Sequence, residues 1–386
     1  MKFISQEKNL KQTNFTEKEN ISQTELCNQE TKASSLSSPF AQEDYSKKEN
    51  ILSFINSKNP EFFEKFELSQ YINSGSSGYV YKGVFKGKNK KQVAIKFLIN
   101  KKENQKEKEK NEKNENKIYE INILRKLHQK NIIELYGYYQ SSEINYSILE
   151  YGKYGDIEFF LRNLLKRYFL SETALNYFSF QILESLQYIH KRKLAHMDIK
   201  PGNILINSNL EAKITDFSIS ISYEKFNPND TVKFPILGTG RFMSPEIMSR
   251  TPIKIKDCDK IDLYSLGVTL YYLFYADFPY KLRNLKSKDY EGLLRNIKNE
   301  ELLFSEKRKI SLLFEDFLKK ILEKDFTKRI NISQALKHPW IKGAKIISDE
   351  KENISCQENF MIRLITDNIP KFNEYIKLKE KNQMQK

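Results

Sequence analysis

The spacing of apolar positions divides this chain into stretches of unlike character. Residues 1–60 hold few apolar positions before Ile51, and Asn, Gln, Ser, Lys and Glu dominate. Eight basic and eight acidic side chains leave that stretch neutral. Such a composition buries too little surface to offset the entropy of ordering, so a disordered N-terminal extension is expected there. A short amphipathic piece near Ile51–Ile55 interrupts it. From Phe66 to Ile99 short β-type runs alternate with glycines, and Leu68–Ile72, Tyr79–Phe85 and Gln92–Ile99 read as strands. Residues 100–117 carry seven Lys and five Glu and no apolar position, the mark of a solvated low-complexity insert. Helical spacing then takes over, with Ile118, Ile121, Leu124 and Leu127 across 117–128 and longer patterns at 172–190, 259–275 and 311–323. The pattern predicts an α+β fold: a small β-rich N-terminal lobe with one main helix, then a larger helical lobe. No internal repeat is present. In the C-terminal tail, residues 342–386, Phe360, Leu364, Ile365, Ile369, Phe372, Tyr375 and Ile376 stand at helix-like spacing broken by Pro370. Two readings of that tail stay open, a docked regulatory helix and a surface appendage.

Composition narrows the classes. With 39% hydrophobic and 13% aromatic residues among 386, a sizeable core is affordable, but collagen-like, coiled-coil and disulfide-scaffold classes are excluded. Three cysteines without CxxC spacing argue against a stapled or zinc-built domain and fit a reducing compartment. The longest apolar run, Leu266–Tyr275, is too short to span a bilayer. The N-terminus turns polar after four residues, unlike a signal peptide. An intracellular, cytoplasmic setting is expected, with the nucleus left open. The net charge of +15 invites a polyanion partner, but its placement matters. Of that charge, +11 falls in 61–99 and 118–341, dispersed along the sequence. This favours weak attraction of acidic partners over a specific nucleic acid, which would need a basic stripe with stacking aromatics.

Candidate chemistry begins at Ser74-Gly75-Ser76-Ser77-Gly78, between two predicted strands. Glycines allow backbone amides to approach phosphate oxygens, and they equally make an ordinary hairpin. No GxxxxGK[ST] follows and no helix opens after the glycines, so neither a Walker loop nor a Rossmann fingerprint is present. In Val93-Ala94-Ile95-Lys96 a single lysine sits in an apolar strand. It either meets an anion, phosphate or a carboxylate such as Glu120, or snorkels to water. The ordered string His196-Met197-Asp198-Ile199-Lys200-Pro201-Gly202-Asn203, followed by Asp216-Phe217-Ser218, is far more specific. It supplies a carboxylate to orient a hydroxyl, a cation for a transferring group and oxygen ligands for Mg²⁺, the set that phosphoryl transfer needs.

With these motifs in this order, residues 64–341 resemble a eukaryotic protein kinase domain of the Ser/Thr-specific type. The resemblance implies a bilobal protein-kinase-like fold, ATP and Mg²⁺ as cofactors, and protein substrates phosphorylated on Ser or Thr. Gly75 and Gly78 match the phosphate-covering loop. Ile72, Val80, Ala94 and Leu205 match positions that sandwich the adenine. Lys96 matches the lysine that contacts the α- and β-phosphates, and Glu120 its ion-pair partner. Leu149, Glu150 and Gly152 match the hinge, with Leu149 as gatekeeper, and Asp156 falls near the ribose. Asp198 is implied to orient the substrate hydroxyl and accept its proton, and Lys200 to stabilise the phosphoryl group. Asn203 and Asp216 are implied to hold Mg²⁺. Gly238-Thr239 supports the Ser/Thr assignment. Asp262 matches an aspartate that braces the catalytic loop, and Glu246 and Arg329 match a buried ion pair. His338 belongs to the terminal motif and reads as structural.

Three positions depart from the family pattern. Asn73 stands for the first loop glycine, and Ser218 for the glycine after Asp-Phe. Met197 replaces the arginine that commonly reads a phosphate on the activation segment, so activation without that switch is expected. These departures motivate an alternative, a pseudokinase acting as a nucleotide-binding scaffold or allosteric regulator.

Overall fold

In the computed structural model the described residues are 53–75, 78–87, 90–99, 119–141, 144–165, 169–306, 308–354, 357–366 and 369–384. The extension before residue 53 and the insert at 100–117 fall outside them. The described residues form two units, a smaller one from those within 53–99 and 136–149, and a larger one from those within 119–135 and 150–384. The expected α+β, two-lobed organisation is met.

The smaller unit is a five-stranded sheet in the order β1-β2-β3-β5-β4: β1 Phe66–Gly75, β2 Gly78–Phe85, β3 Gln92–Ile99, β4 Leu135–Gln140 and β5 Ile144–Glu150. Two helices precede it, α1 at 53–58 and α2 Glu61–Lys65. The sequence reading carries the N-terminal extension to residue 60, yet Ile55 is fully buried in the core of this unit. Phe62 of α2 is the reason: its ring packs within 5.1–5.4 Å of the rings of Phe63, Phe66, Phe97 and Tyr146. Asn59 donates to the Tyr146 hydroxyl at 2.9 Å and fixes the approach. Tyr81, Ile95 and Phe97 join this aromatic face. Directly opposed residues share a face of a sheet. Val80 faces Lys96 and Lys82 faces Ala94, so these four lie on the side away from the aromatic cluster.

In the larger unit a short helix, α3, spans 119–124, inside the predicted 117–128. Helix α4, Glu172–Lys191, starts where Ser171 accepts from the Ala174 N–H at 3.0 Å, with Glu172 in its first turn and His190 and Lys191 in its last. That arrangement satisfies an orphan amide and suits the helix dipole. Helix α5, Asp259–Tyr275, is buried nearly all round, as a helix with apolar residues on every face must be. Between α4 and α5 run six short strands in three pairs: β6 Leu194–Ala195 with β9 Ile221–Ser222, β7 Ile204–Ile206 with β8 Ala212–Ile214, and β10 Thr231–Val232 with β11 Ile253–Lys254. Helix α6, Leu312–Ile321, closes the unit against Trp340. The indole stacks on Phe314 at 4.3 Å and donates to the Glu172 carboxylate, which also accepts from Ser311. One half-buried carboxylate thus joins the starts of α4 and α6 to Trp340. His338 caps the short helix at Pro339 and faces Asp316 at 3.0 Å, a structural post as expected. Among the described residues no helix is long and apolar enough to cross a membrane.

The tail folds onto this unit as α7 Ala344–Asn353, α8 Gln357–Ile365 and α9 Pro370–Met384. Ile347, Phe360, Leu364, Ile369 and Phe372 are almost fully buried. Ser171 donates to the Leu364 carbonyl at 2.5 Å, so the residue that caps α4 also holds α8. Lys351 donates to the Tyr177 hydroxyl and the Asn209 carbonyl, and Glu380 accepts from the exposed N–H of Leu312 at the start of α6. Phe372 lies so close to Gly343 that a Cβ there would stand 2.7 Å from its ring. Each large apolar side chain so buried contributes about 1.5–3 kcal/mol before ordering costs. Deleting residues 344–386 is therefore expected to lower the thermal unfolding midpoint by at least ~5 °C. An unchanged midpoint in scanning calorimetry would mean that the tail adds nothing to the larger unit.

Candidate active site

The string from His196 to Asn203 forms a loop held at both ends. Asp262, on α5 and fully buried, accepts from the backbone N–H of His196 at 2.8 Å and of Met197 at 2.8 Å. Its Oδ2 also lies 2.7 Å from His190 Nε2. Burial alone would push this carboxyl up, but the His190 ring and the His196 amide that donate to it hold it below the usual carboxylate range. Met197 takes the left-handed φ of 72°, and its side chain is buried. His196 is fully buried, its ring edge-on to Phe217 at 4.8 Å and its Nε2 3.0 Å from the Thr215 carbonyl.

Asp198 is the meeting point of the loop. Lys200 donates to its Oδ2 at 2.6 Å, Thr239 N–H to its Oδ1 at 2.9 Å, and Asn203 Nδ2 to its Oδ2 at 3.0 Å and its carbonyl at 2.8 Å. Lys200 donates also to the Thr239 hydroxyl at 2.7 Å. Pro201–Asn203 is a single 3₁₀ turn, with proline supplying the required φ at its first position, and this turn brings Asn203 back over Asp198. Gly238 has φ 105°, and a Cβ there would stand 2.6 Å from the Met197 carbonyl. Only glycine lets the segment carrying Thr239 come this close.

Asp216 is placed beside Asn203 by a backbone bond, since Thr215 N–H donates to the Asn203 carbonyl at 3.0 Å. The Asn203 amide nitrogen is turned to Asp198, so the amide oxygen is its acceptor end. An amide oxygen and a carboxylate are hard oxygen donors of the kind Mg²⁺ takes. Gly152, Asp156 and Leu205 also come together. Asp156 and Leu205 form a backbone bridge, and a Cβ at Gly152 would lie 3.0 Å from Leu205. Asp156 Oδ1 accepts from the N–H groups of Glu158 and Phe159 as a helix cap. Burial raises its pKa against those bonds.

Two expectations are refined. The Glu150 carboxylate is paired with Lys213 of β8 at 2.8 Å, and its backbone N–H donates to the Glu134 carbonyl. Lys213 escaped the sequence reading, although the argument applied to Lys96, a lysine in an apolar strand needing an anion, also fits Lys213-Ile214. In the smaller unit Gly75 and Gly78 pair at the end of the β1–β2 hairpin, and Gly78 has φ 115°. Asn73 lies in extended β1 opposite Val80 and is not left-handed. Ile72 sits at a register shift and is 43% exposed, while Ala94 and Lys96 are buried. Glu120, on α3 of the larger unit, is buried too. Ser218 lies outside the left-handed region as well, so neither substitution of a family glycine is strained here.

A sequence profile described as the protein kinase domain matches residues 66–341. The chain belongs to the protein kinase family. It is 30% identical over 279 residues to mouse serine/threonine-protein kinase ULK3, covering 72% of this chain and 54% of that one. Mouse death-associated protein kinase 2 is 32% identical over 255 residues, 62% of this chain and 63% of that protein. Calcium-dependent protein kinase 6 of Plasmodium berghei is 32% identical over 227 residues, 58% of this chain and 14% of that protein. The chain thus spans about half the length of the ULK3 proteins it matches. The family's buried ion pair is present in this kinase domain. Arg329 donates to both Glu246 oxygens, at 2.6 and 3.0 Å, and both side chains are excluded from water.

Proposed function

We propose that this kinase domain transfers the γ-phosphoryl group of ATP to serine and threonine hydroxyls of protein substrates. The observation that carries the reading is the Asp198–Lys200–Thr239–Asn203 cluster, in which one carboxylate is oriented by a cation, a backbone amide and a side-chain amide. Asp198 orients the substrate hydroxyl and takes its proton as the oxygen attacks. Lys200, three-donor and fixed between Asp198 and Thr239, balances charge that develops on the phosphoryl oxygens. Asn203 and Asp216 hold Mg²⁺, which when bound neutralises phosphate charge. Lys96 serves the α- and β-phosphates, and Glu120 keeps the role the resemblance gives it. Ile72, Val80, Ala94 and Leu205 frame the adenine, Gly75 and Gly78 the phosphates, and the free oxygen of Asp156 and the main chain at Glu150 and Gly152 the rest of the nucleotide. No observation favours the pseudokinase alternative, since Asn73 and Ser218 are unstrained and every chemical residue is retained. Protein substrates are the partners of this reaction, and a cytoplasmic setting accords with it.

The decisive assay supplies Mg·ATP labelled at the γ-position and a generic basic protein, with Asp198→Asn as the control. We expect acid-stable label on Ser and Thr at least ~10³-fold above the variant. A wild-type signal no greater than the variant's would sink the enzyme reading.

Met197 bears on regulation. Its side chain is apolar and buried where the family commonly has an arginine, so no cation at that position reads a phosphate. Phosphatase treatment is expected to leave the rate within about twofold of the untreated enzyme, a change too small for a lost charge-assisted contact. A loss of more than tenfold, traced to residues 218–239, would refute this account of position 197.

A further inference from the structure

Tyr223 follows β9, seven residues beyond Asp216, and is 4% exposed. Its backbone N–H donates to the Lys193 carbonyl at 2.8 Å. Its hydroxyl lies 2.9 Å from His190 Nδ1. The opposite ring nitrogen, Nε2, faces Asp262 Oδ2 at 2.7 Å, and Asp262 in turn accepts the amides of His196 and Met197. A carboxylate requires a donor, which places the ring proton on Nε2, and in that tautomer Nδ1 at 2.9 Å is a nearer acceptor for the tyrosine hydroxyl than the His190 carbonyl at 3.4 Å. Burial holds the Tyr223 hydroxyl protonated far above neutral pH. A hydrogen-bonded chain therefore runs from the hydroxyl, through imidazole and carboxylate, to the two amides that precede Asp198.

The surroundings make β9 a junction. It pairs with β6, the strand that leads into the loop, through Leu194–Ser222 and Ala195–Ile221. Ser222 N–H donates to the Tyr119 hydroxyl at 3.1 Å, and Tyr119 adjoins Glu120 on α3. We propose that Tyr223 is a positioning residue for phosphoryl transfer, its hydroxyl setting the catalytic loop through His190 and Asp262 whenever the segment after Asp216 is in place. The link is permanent, made by a side chain of the segment itself rather than by a phosphate, and it occurs in a chain whose Met197 offers no cation. This rests on the reading of Asp198 as the group that orients the substrate.

Tyr223→Phe removes the hydroxyl and keeps the ring. We expect its unfolding midpoint to stay within a few degrees of wild type, kcat to fall about three- to tenfold, and KM for Mg·ATP to stay within about twofold. Adding Tyr223→Phe to His190→Gln should cost less than about twofold more, because the chain is already cut. Unchanged kcat, or a full independent loss in the double variant, would overturn the proposal. An arm that needs no activity uses ¹⁵N-labelled histidine. In wild type the His190 Nδ1 resonance should be that of a hydrogen-bonded acceptor, and Tyr223→Phe should move it toward a non-bonded one. A wild-type resonance already at the non-bonded position would refute the link even if the variant did not fold. Failure of the wild type to phosphorylate any substrate, with the resonance as expected, would instead count against the functional reading alone.

Discussion

The site depends on one buried carboxylate. Asp262 sits on a helix enclosed by apolar side chains, where an unpaired charge would cost several kcal/mol. Its charge is sustained by donors alone: two consecutive backbone amides and an imidazole. Hydrogen bonds to a charged acceptor are worth about 1.5–3 kcal/mol each. The amides it captures belong to His196 and Met197, so the stabilisation of a core charge also fixes the backbone one residue before Asp198. That fixation lets Met197 keep its left-handed φ, a conformation that costs a non-glycine residue about 1–2 kcal/mol.

A second buried charge works differently. The Glu246–Arg329 pair is bidentate and dry, and Arg329 donates further to the carbonyls of Lys260 and Glu323. Pairs of this kind add little net stability against an apolar replacement, but breaking one partner leaves an uncompensated charge. Its consequence is positional. It ties the start of the helix after Ser244 to α5, and the segment ahead of Ser244 carries Gly238 and Thr239 to Asp198. Asp262 thus holds the Asp198 loop directly, whereas Glu246 anchors the far end of the segment whose Thr239 reaches Asp198.

Much of this was legible in the sequence, for physical reasons that can be named. The Asp198–Asn203 string could be read because a proline-led 3₁₀ turn brings residues five apart into contact. Helix α5 could be read because an all-round apolar stretch has to be interior. Strands β1 to β3 followed from short β-type runs broken by glycines, but β4, β5 and α2 did not. Ile55 and Phe62 are single anchors in a polar setting, and only the aromatic cluster across the sheet gives them a purpose. The tail's apolar spacing was visible, yet its docking rests on Ser171 and Leu312, which stand 193 and 68 positions from their tail partners. Glu150 was seen as a hinge residue without its Lys213 partner, and His190 looked like any helical histidine. Tyr223 carried no signal at all, because a tyrosine in a segment without periodicity acquires meaning only through the ring it touches.

The central claim is that Asp262 holds the catalytic loop through the amides of His196 and Met197. Amide hydrogen exchange resolved at those two residues, in wild type and in Asp262→Asn, tests it most directly. The account predicts that both amides exchange in wild type only through openings as rare as those of the α5 core, and that in the variant both exchange by local opening while phosphoryl transfer falls in parallel. Fast exchange of these two amides in the wild type, or their release in the variant with transfer undiminished, would contradict it.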